Sequence, residues 1–331
     1  MSIKHITCSK IFVTGGTGPF GEAFLRYLNK KNVEIEIFLL TRNPNKVYFL
    51  QEKYKNLIIH SIHGCLPFKD KDFIHKLPRV DFILHMASVT AEESFNKIDP
   101  LQKYLLLNEG TIDICNYGKL VNVERLLFTS SGCVYGSNLN NYPIKETSNL
   151  KVNGNSAIND SLSIGKISAE YICNYFREFE SLDTKIARCF SFCGLGIPTN
   201  LHYAIGNFTS QAIKDEDIVI KGDGLAIRSY MDLDDLGNWL CKLLFSESNF
   251  DIYNFGSDEE ISISDLAKKI KSLSKSSSNI LVLGESNVTL SNPLRDYYVP
   301  EIQRAREDLN VSLEHNLDNS IVKYINYLRN L

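Results

Sequence analysis

Three glycines spaced by three, Gly15, Gly18 and Gly21, lie in the run Thr14-Gly15-Gly16-Thr17-Gly18-Pro19-Phe20-Gly21, between an apolar stretch and an amphipathic one. Glycines in a strand-to-helix turn let the backbone approach a pyrophosphate, whose charge then meets the positive end of the helix. The third glycine allows close packing where the helix leaves the turn. Further on, Leu40-Thr41-Arg42-Asn43 closes the second apolar run without a carboxylate. An acidic residue there would hydrogen-bond a ribose 2′-hydroxyl and repel a 2′-phosphate, whereas an arginine fork suits the phosphate. Thr41 and Arg42 therefore favour NADP over NAD.

These residues need a rigid frame, and the hydrophobic pattern supplies one. Apolar runs at 11–14, 34–40, 57–60, 82–86, 125–129 and 185–189 alternate with helical patterns, for example 22–29 and 168–179. Strands separated by crossover helices predict an α/β fold with a doubly wound parallel sheet. Runs as continuous as Ile37-Phe38-Leu39-Leu40 fit a sheet covered on both faces. After Ser191 the pattern becomes irregular, with a short charged strand at 217–221 and a loop at 272–278. Residues 1–190 thus read as a dinucleotide-binding domain, which segments within 228–256 rejoin. Residues 191–331 read mainly as a smaller substrate lobe.

Bulk properties exclude several classes. The 331 residues carry a net charge of −3 and 44% apolar content, so no basic surface points to nucleic acid. Eight cysteines form no Cys-x-x-Cys pair, and seven histidines form no clear metal-ligand constellation. No apolar run approaches twenty residues and no charged-then-apolar leader is seen. The expectation is a reduced, cytoplasmic protein without a metal.

In its ordered motifs the chain resembles the extended short-chain dehydrogenase/reductase family, in particular its NAD(P)-dependent nucleotide-sugar epimerases, 4,6-dehydratases and 4-keto reductases. The matching segments run almost the whole length: the glycine turn, His85-Met86-Ala87-Ser88, Asn108 with Gly110-Thr111, Thr129-Ser130-Ser131-Gly132-Cys133-Val134-Tyr135-Gly136, Lys166 with Ala169-Glu170, Arg188, Asn207-Phe208, Arg228, Tyr253-Asn254-Phe255-Gly256 and Arg295. The resemblance implies a Rossmann domain with a C-terminal lobe that binds a nucleoside-diphosphate sugar. It implies that Gly15, Thr17, Gly18, Phe20, Gly21, Met86, Ala87, Ser88, Asn108, Thr129 and Lys166 meet the cofactor. Ser130 and Ser131 would meet the sugar, Ser131 at the reacting oxygen, while Asn207, Phe208, Arg228 and Arg295 would hold the nucleotide. It also implies a homodimer joined through helices near 108–117 and 168–179.

Three departures from the family pattern narrow the chemistry. The acid pair that the dehydratases carry before Val-Tyr-Gly is here Gly132 and Cys133, which disfavours dehydration. A carboxylate expected near the adenine is absent from Gly64-Cys65-Leu66. Four residues before Lys166, where the family keeps its proton-donating tyrosine, stands Leu162. Only Tyr27, of sixteen tyrosines, has a lysine four residues later, and it lies in the first helix. Leucine neither donates nor accepts a proton. The leading expectation is a 4-keto-6-deoxysugar reductase or 4-epimerase with a replacement acid such as water or Asp160. A mutase or other rearrangement on the same scaffold, or an inactive cofactor- or nucleotide-sugar-binding module, remains open.

Overall fold

A computed structural model of the chain describes residues 8–88, 98–137, 142–152, 154–201, 203–284 and 296–330. Seven parallel strands form the main sheet: β1 (Lys10–Thr14), β2 (Glu36–Thr41), β3 (Ile58–His63), β4 (Phe82–His85), β5 (Arg125–Ser131), β6 (Thr184–Cys189) and, out of sequence order, β11 (Ile252–Phe255). The spatial order is β3-β2-β1-β4-β5-β6-β11. Its first six strands follow the doubly wound order, whose switch point lies between β1 and β4. The late strand β11 extends the edge, pairing Asn254 with Arg188 of β6.

Alternation along the strands sorts the helices into two layers, because successive side chains point to opposite faces. Ile11 and Val13 of β1 join a core with Phe24, Leu25 and Leu28 of helix α1 (Pro19–Lys31). Phe12, between them, packs with Ile114 and Tyr117 on the other face. Helix α2 (Pro44–Lys53) follows β2; α3 (Pro100–Val121) and α4 (Ala157–Phe179) cover the second face. They also pack on each other, with the Tyr104 hydroxyl 3.3 Å from that of Ser168.

The helix expected at 168–179 begins eleven residues earlier, at Ala157. Residues 157–167 include several poor helix formers (Asn, Asp, two Ser and Gly), so their intrinsic preference hides the turn. The Ser156 side chain caps it by accepting from the Asn159 N–H. The result places Leu162 and Lys166 one turn apart on a single continuous helix. The loop expected from 272 starts later for a similar reason, since the helix of Ile263–Ser274 includes Ser272.

The remainder forms small sheets and helices. Strand β7 (Phe192–Cys193) pairs β10 (Met231–Asp232), and β8 (Ile218–Ile220) pairs β13 (Ile280–Val282). Strand β9 (Ile227–Arg228) lies between β12 (Ile261–Ser262) and β14 (Tyr297–Tyr298). Helices α5 (Ala204–Ile213), α6 (Leu233–Phe245), α7 (Ile263–Ser274), α8 (Gln303–Asp308) and α9 (Leu317–Arg329) complete the chain. Among the described residues, no helix is long and apolar enough to cross a membrane.

Candidate active site

The glycine turn crosses the end of β4 so closely that a side chain has no room. Gly15 adopts φ +73°, and a Cβ there would stand 2.8–2.9 Å from backbone atoms of Met86 and Ala87. At Gly21 a Cβ would fall 2.3 Å from the Cα of Gly16, so the helix packs against the turn itself rather than against the strand. Gly18 starts α1 with no side-chain cap, and Pro19 carries no N–H. The first-turn N–H groups are thereby left to an anion. Phe20 is held edge-on against Phe192 at 4.7 Å between ring centroids. Thr17 and Ser88 are half-buried beside this turn and the strand end.

A proton chain locks the turn to β4. The Thr111 hydroxyl donates to the Leu107 carbonyl at 2.6 Å, so it accepts from His85 Nε2 at 3.2 Å. His85 Nδ1 then accepts from the Thr14 hydroxyl at 2.7 Å, and Thr14 Oγ1 accepts the Met86 and Ala87 N–H groups at 3.2 and 3.0 Å. Every side-chain donor in this chain is used. Burial, with the Lys166 ammonium nearby, pushes the His85 imidazole down to about 3, so it is neutral. The sequence marked His85 only as part of a matching segment, yet it fixes the segment's geometry.

Lys166 arrives from α4 under the end of β5. Its Nζ donates to the Thr129 carbonyl at 2.7 Å and lies 4.6 Å from the centre of the Phe128 ring. Burial pulls the ammonium down to about 8. Leu162, one turn earlier, is half-buried on the same helix face. Asp160 is not on that face: six residues before Lys166, it is rotated by about 240° at 3.6 residues per turn. Its carboxylate accepts the Ser156 N–H at 3.1 Å, at the helix start. That geometry removes Asp160 as the replacement acid.

The two serines expected to meet the sugar point opposite ways, as neighbours on a strand must. Ser130 turns inward and donates to Glu170 at 2.5 Å, so it is not available to a sugar. Ser131 accepts the Cys133 N–H at 3.2 Å and interacts with the Tyr298 phenol. Beneath them is a buried polar web. Arg188 binds Glu170 through Nε and NH2 (3.0 and 2.7 Å) and donates to the Tyr135 hydroxyl at 2.8 Å. Tyr135 donates to Asn254 at 2.7 Å, and the Asn254 N–H is accepted by Glu146 at 3.0 Å. Several residues that carry the family pattern thus support the site from below.

The expected nucleotide grip is only partly assembled. Arg228 on β9 is paired with Asp296 at 2.5 Å and lies 5.7 Å from the Tyr298 ring centre. Arg295 lies outside the described residues. The Asn207 amide donates to the Leu201 carbonyl at 2.6 Å, and its buried oxygen has no partner among the described residues. That orientation presents an acceptor, not the donor a diphosphate needs. Phe208 is a core residue of α5, 4% exposed. Asn108 is buried in α3, donating to the Tyr104 carbonyl at 2.7 Å, with its own oxygen unpaired among the described residues. Arg42 is exposed at the end of β2, where the Thr41 hydroxyl accepts the Asn43 N–H at 3.0 Å. Among the described residues, Asp232, Asp234 and His315 cluster as a metal site would. Lys323 already supplies a cation there, 2.7 and 2.8 Å from the two aspartates.

The family described as "NAD dependent epimerase/dehydratase family" matches residues 11–256. The chain belongs to that family. Its similarity to UDP-glucuronic acid decarboxylase 1 of Danio rerio is 28% identity over 321 residues, 94% of this chain and 72% of the relative. The dTDP-D-glucose 4,6-dehydratase of Dictyostelium discoideum is 28% identical over 287 residues, 80% of this chain and 62% of that protein. UDP-glucose 4-epimerase from Thermotoga maritima superposes with a TM-score of 0.81 at 18% identity, covering 97% of this chain and 99% of the other. The dTDP-glucose 4,6-dehydratase from Bacillus anthracis, solved with NAD, gives 0.79 at 19%, covering 98% and 97%. These superpositions establish the fold of the epimerase/dehydratase family for this chain. The turn at Gly15–Gly21 fits the dinucleotide that the family uses: the backbone is bare, the helix start uncapped, and Lys166 is buried within reach of the strand end.

Proposed function

We propose that this chain is a redox-active nucleotide-sugar enzyme that acts at a sugar carbonyl or hydroxyl, as a 4-keto-6-deoxysugar reductase or a 4-epimerase. The carrying observation is that Ser131 ends β5 while Lys166 is hydrogen-bonded to the Thr129 carbonyl, two residues earlier on the same strand. Ser131 would polarise the sugar oxygen. Lys166, with its ammonium destabilised by burial, would hold the nicotinamide ribose. Arg228 and Arg295 would hold the diphosphate, which requires Arg228 to exchange Asp296 for phosphate.

The dinucleotide is NADP in this reading, because Arg42 follows β2 and no carboxylate stands there to repel a 2′-phosphate. The dimer is formed by a second copy across α3 and α4. Leu101, Ile112 and Leu120 on one helix, and Tyr171, Tyr175 and Phe179 on the other, are large apolar side chains at 40–71% exposure. An exposed stripe of that size on a helix pair is a self-association surface.

A second reading has its own support. The similarity to UDP-glucuronic acid decarboxylases favours a sugar bearing a carboxylate at C6. Oxidation at C4 would make that group a β-keto acid, which loses carbon dioxide readily, so both readings share one oxidation site. Incubation with UDP-glucose, UDP-glucuronate and dTDP-4-keto-6-deoxyglucose, with and without reduced cofactor, distinguishes them by mass spectrometry and NMR. A reductase consumes reduced cofactor stoichiometrically, and an epimerase changes no mass. A decarboxylase loses the mass of carbon dioxide. Absence of any turnover while the cofactor binds refutes the redox reading.

A further inference from the structure

The active site keeps the serine and lysine of its family but has a leucine where a phenol would be expected. A different phenol reaches the same place from the other end of the chain. Tyr298 on β14 interacts with the Ser131 hydroxyl. Its oxygen lies so close to Gly132 that a Cβ at that position would stand 2.6 Å away. Gly132 is also one of the two slots where the sequence lacks the acid pair of dehydratases. The glycine therefore removes a side chain from the space that the Tyr298 hydroxyl occupies. Two positions distant in sequence, 132 and 298, thus fit one another.

The phenol is delivered by a fixed strand. Tyr298 is paired with Arg228 of β9 on one side. On the other, the Ile144 N–H donates to the Val299 carbonyl at 2.9 Å and the Glu301 N–H to the Ile144 carbonyl at 2.8 Å. Tyr297 points the opposite way, to Glu260, as strand alternation requires. The Tyr298 ring packs on Phe190 at 4.7 Å between centroids, and the residue is half-buried. Ile167, the residue after Lys166, belongs to the same small cluster.

We propose that Tyr298 donates the proton to the sugar oxygen in place of the phenol that position 162 lacks. This rests on the redox reading above. In the reductive direction the carbonyl carbon accepts a hydride from the reduced dinucleotide and forms the new C–H bond. The carbonyl π pair moves onto oxygen, which takes the Tyr298 proton and becomes a hydroxyl. The ketone is reduced, the dinucleotide is oxidised, and the phenolate recovers a proton from solvent through Ser131. Burial holds the phenol protonated well above its ordinary range, helped by the neighbouring Cys133 and Cys189 thiols and opposed by Ser131 and Arg228. A phenol is protonated at neutral pH with or without that shift, and Ser131 and Arg228, which oppose it, are the groups that ease the departure of the proton.

The test uses the full-length protein and a nucleotide sugar that the wild type turns over. Tyr298→Phe should lower kcat by roughly 10²–10⁴, the usual worth of a positioned acid. Calorimetric affinity for UDP and for the dinucleotide should stay unchanged. Adding Leu162→Tyr to Tyr298→Phe should recover at least about tenfold, a small part of that range. Gly132→Ala, which displaces the phenol oxygen without removing it, should also lower kcat, and it serves if Tyr298→Phe fails to fold. Independently of turnover, fluorotyrosine labelling gives a fluorine NMR signal for residue 298, assigned as the one missing from Tyr298→Phe. Ser131→Ala should shift it. An unchanged kcat in Tyr298→Phe, or a signal indifferent to Ser131→Ala, overturns the assignment of the acid alone. A wild type that turns over no nucleotide sugar overturns the redox reading, and this assignment with it.

Discussion

Replacing Glu170 by glutamine tests whether the polar web under the site is structural. The Glu170 and Arg188 side chains are each 4% exposed. Arg188 gives three of its donors to Glu170 and Tyr135, and Ser130 adds a further hydrogen bond to the carboxylate. Glu170→Gln keeps the volume but leaves the guanidinium charge buried without a counter-ion. Removing one partner of a buried pair costs about 3–5 kcal/mol, chiefly the desolvation of the charge left behind. Unfolding entropy near 60 °C is about 2.1 cal/mol/K per residue, or roughly 0.7 kcal/mol/K for this length. The expected fall in Tm is therefore about 4–7 °C.

Differential scanning calorimetry at pH 7 measures it, with Lys10→Gln as the control. The Lys10–Glu36 pair is 49% and 30% exposed, so its loss should cost no more than about 1 kcal/mol and 1.5 °C. The double variant Glu170→Met with Arg188→Met removes both charges and should recover much of the loss, because neither is left stranded. A Tm for Glu170→Gln within about a degree of wild type would refute this account, since the web would then not confine the arginine. A double variant no better than the single one would show that packing, not charge, sets the cost.

Lys166→Met should stabilise the protein at pH 7, because the folded chain holds that ammonium at a pKa near 8 against an ordinary 10.5. The sign follows from proton binding: between those values the unfolded state binds more protons, so the wild type loses stability as pH falls from 10.5 to about 8 and carries the full penalty below that. The difference in Tm between Lys166→Met and wild type should shrink from pH 7.5 to about 10; a constant difference would refute it. Arg42→Ala should weaken NADP at least about tenfold relative to NAD in calorimetric titrations, about 1.4 kcal/mol. Equal losses for both cofactors would remove Arg42 from the 2′-phosphate. Tyr175→Lys places a charge in the exposed stripe of α4 and should yield a monomer in sedimentation. If wild type and variant sediment alike, that face is not an interface.

What could be read from the sequence was the part set by local spacing. The doubly wound parallel sheet follows from alternating patterns and the glycine turn from its three-residue spacing, whereas Lys166 was marked by the family resemblance alone. The errors lie where local pattern leaves phase or partner free. Ser130 and Ser131 are indistinguishable by type, and only the strand's facing decides which meets Glu170 and which meets the cleft. Asp160 looked like a spare acid until the helix start at Ala157 set its angle. Asn207 and Phe208 matched a pattern, but one amide hydrogen is spent on Leu201 and the ring is enclosed by α5 and its neighbours.

Tyr298 was invisible for a stronger reason. Its approach to Ser131 depends on β9, on Ile144 and on the missing side chain at Gly132, which are scattered over more than 150 positions. A motif search asks whether a phenol stands four residues before a lysine. The chemistry asks only that a phenol reach the oxygen that Ser131 faces. A rigid strand can satisfy that demand from any point in the chain, provided the position it enters carries no Cβ. Gly132 was read as a lost acid. In the folded chain it is the opening through which another acid enters, so a departure from the family pattern at one residue is explained by a residue outside the pattern.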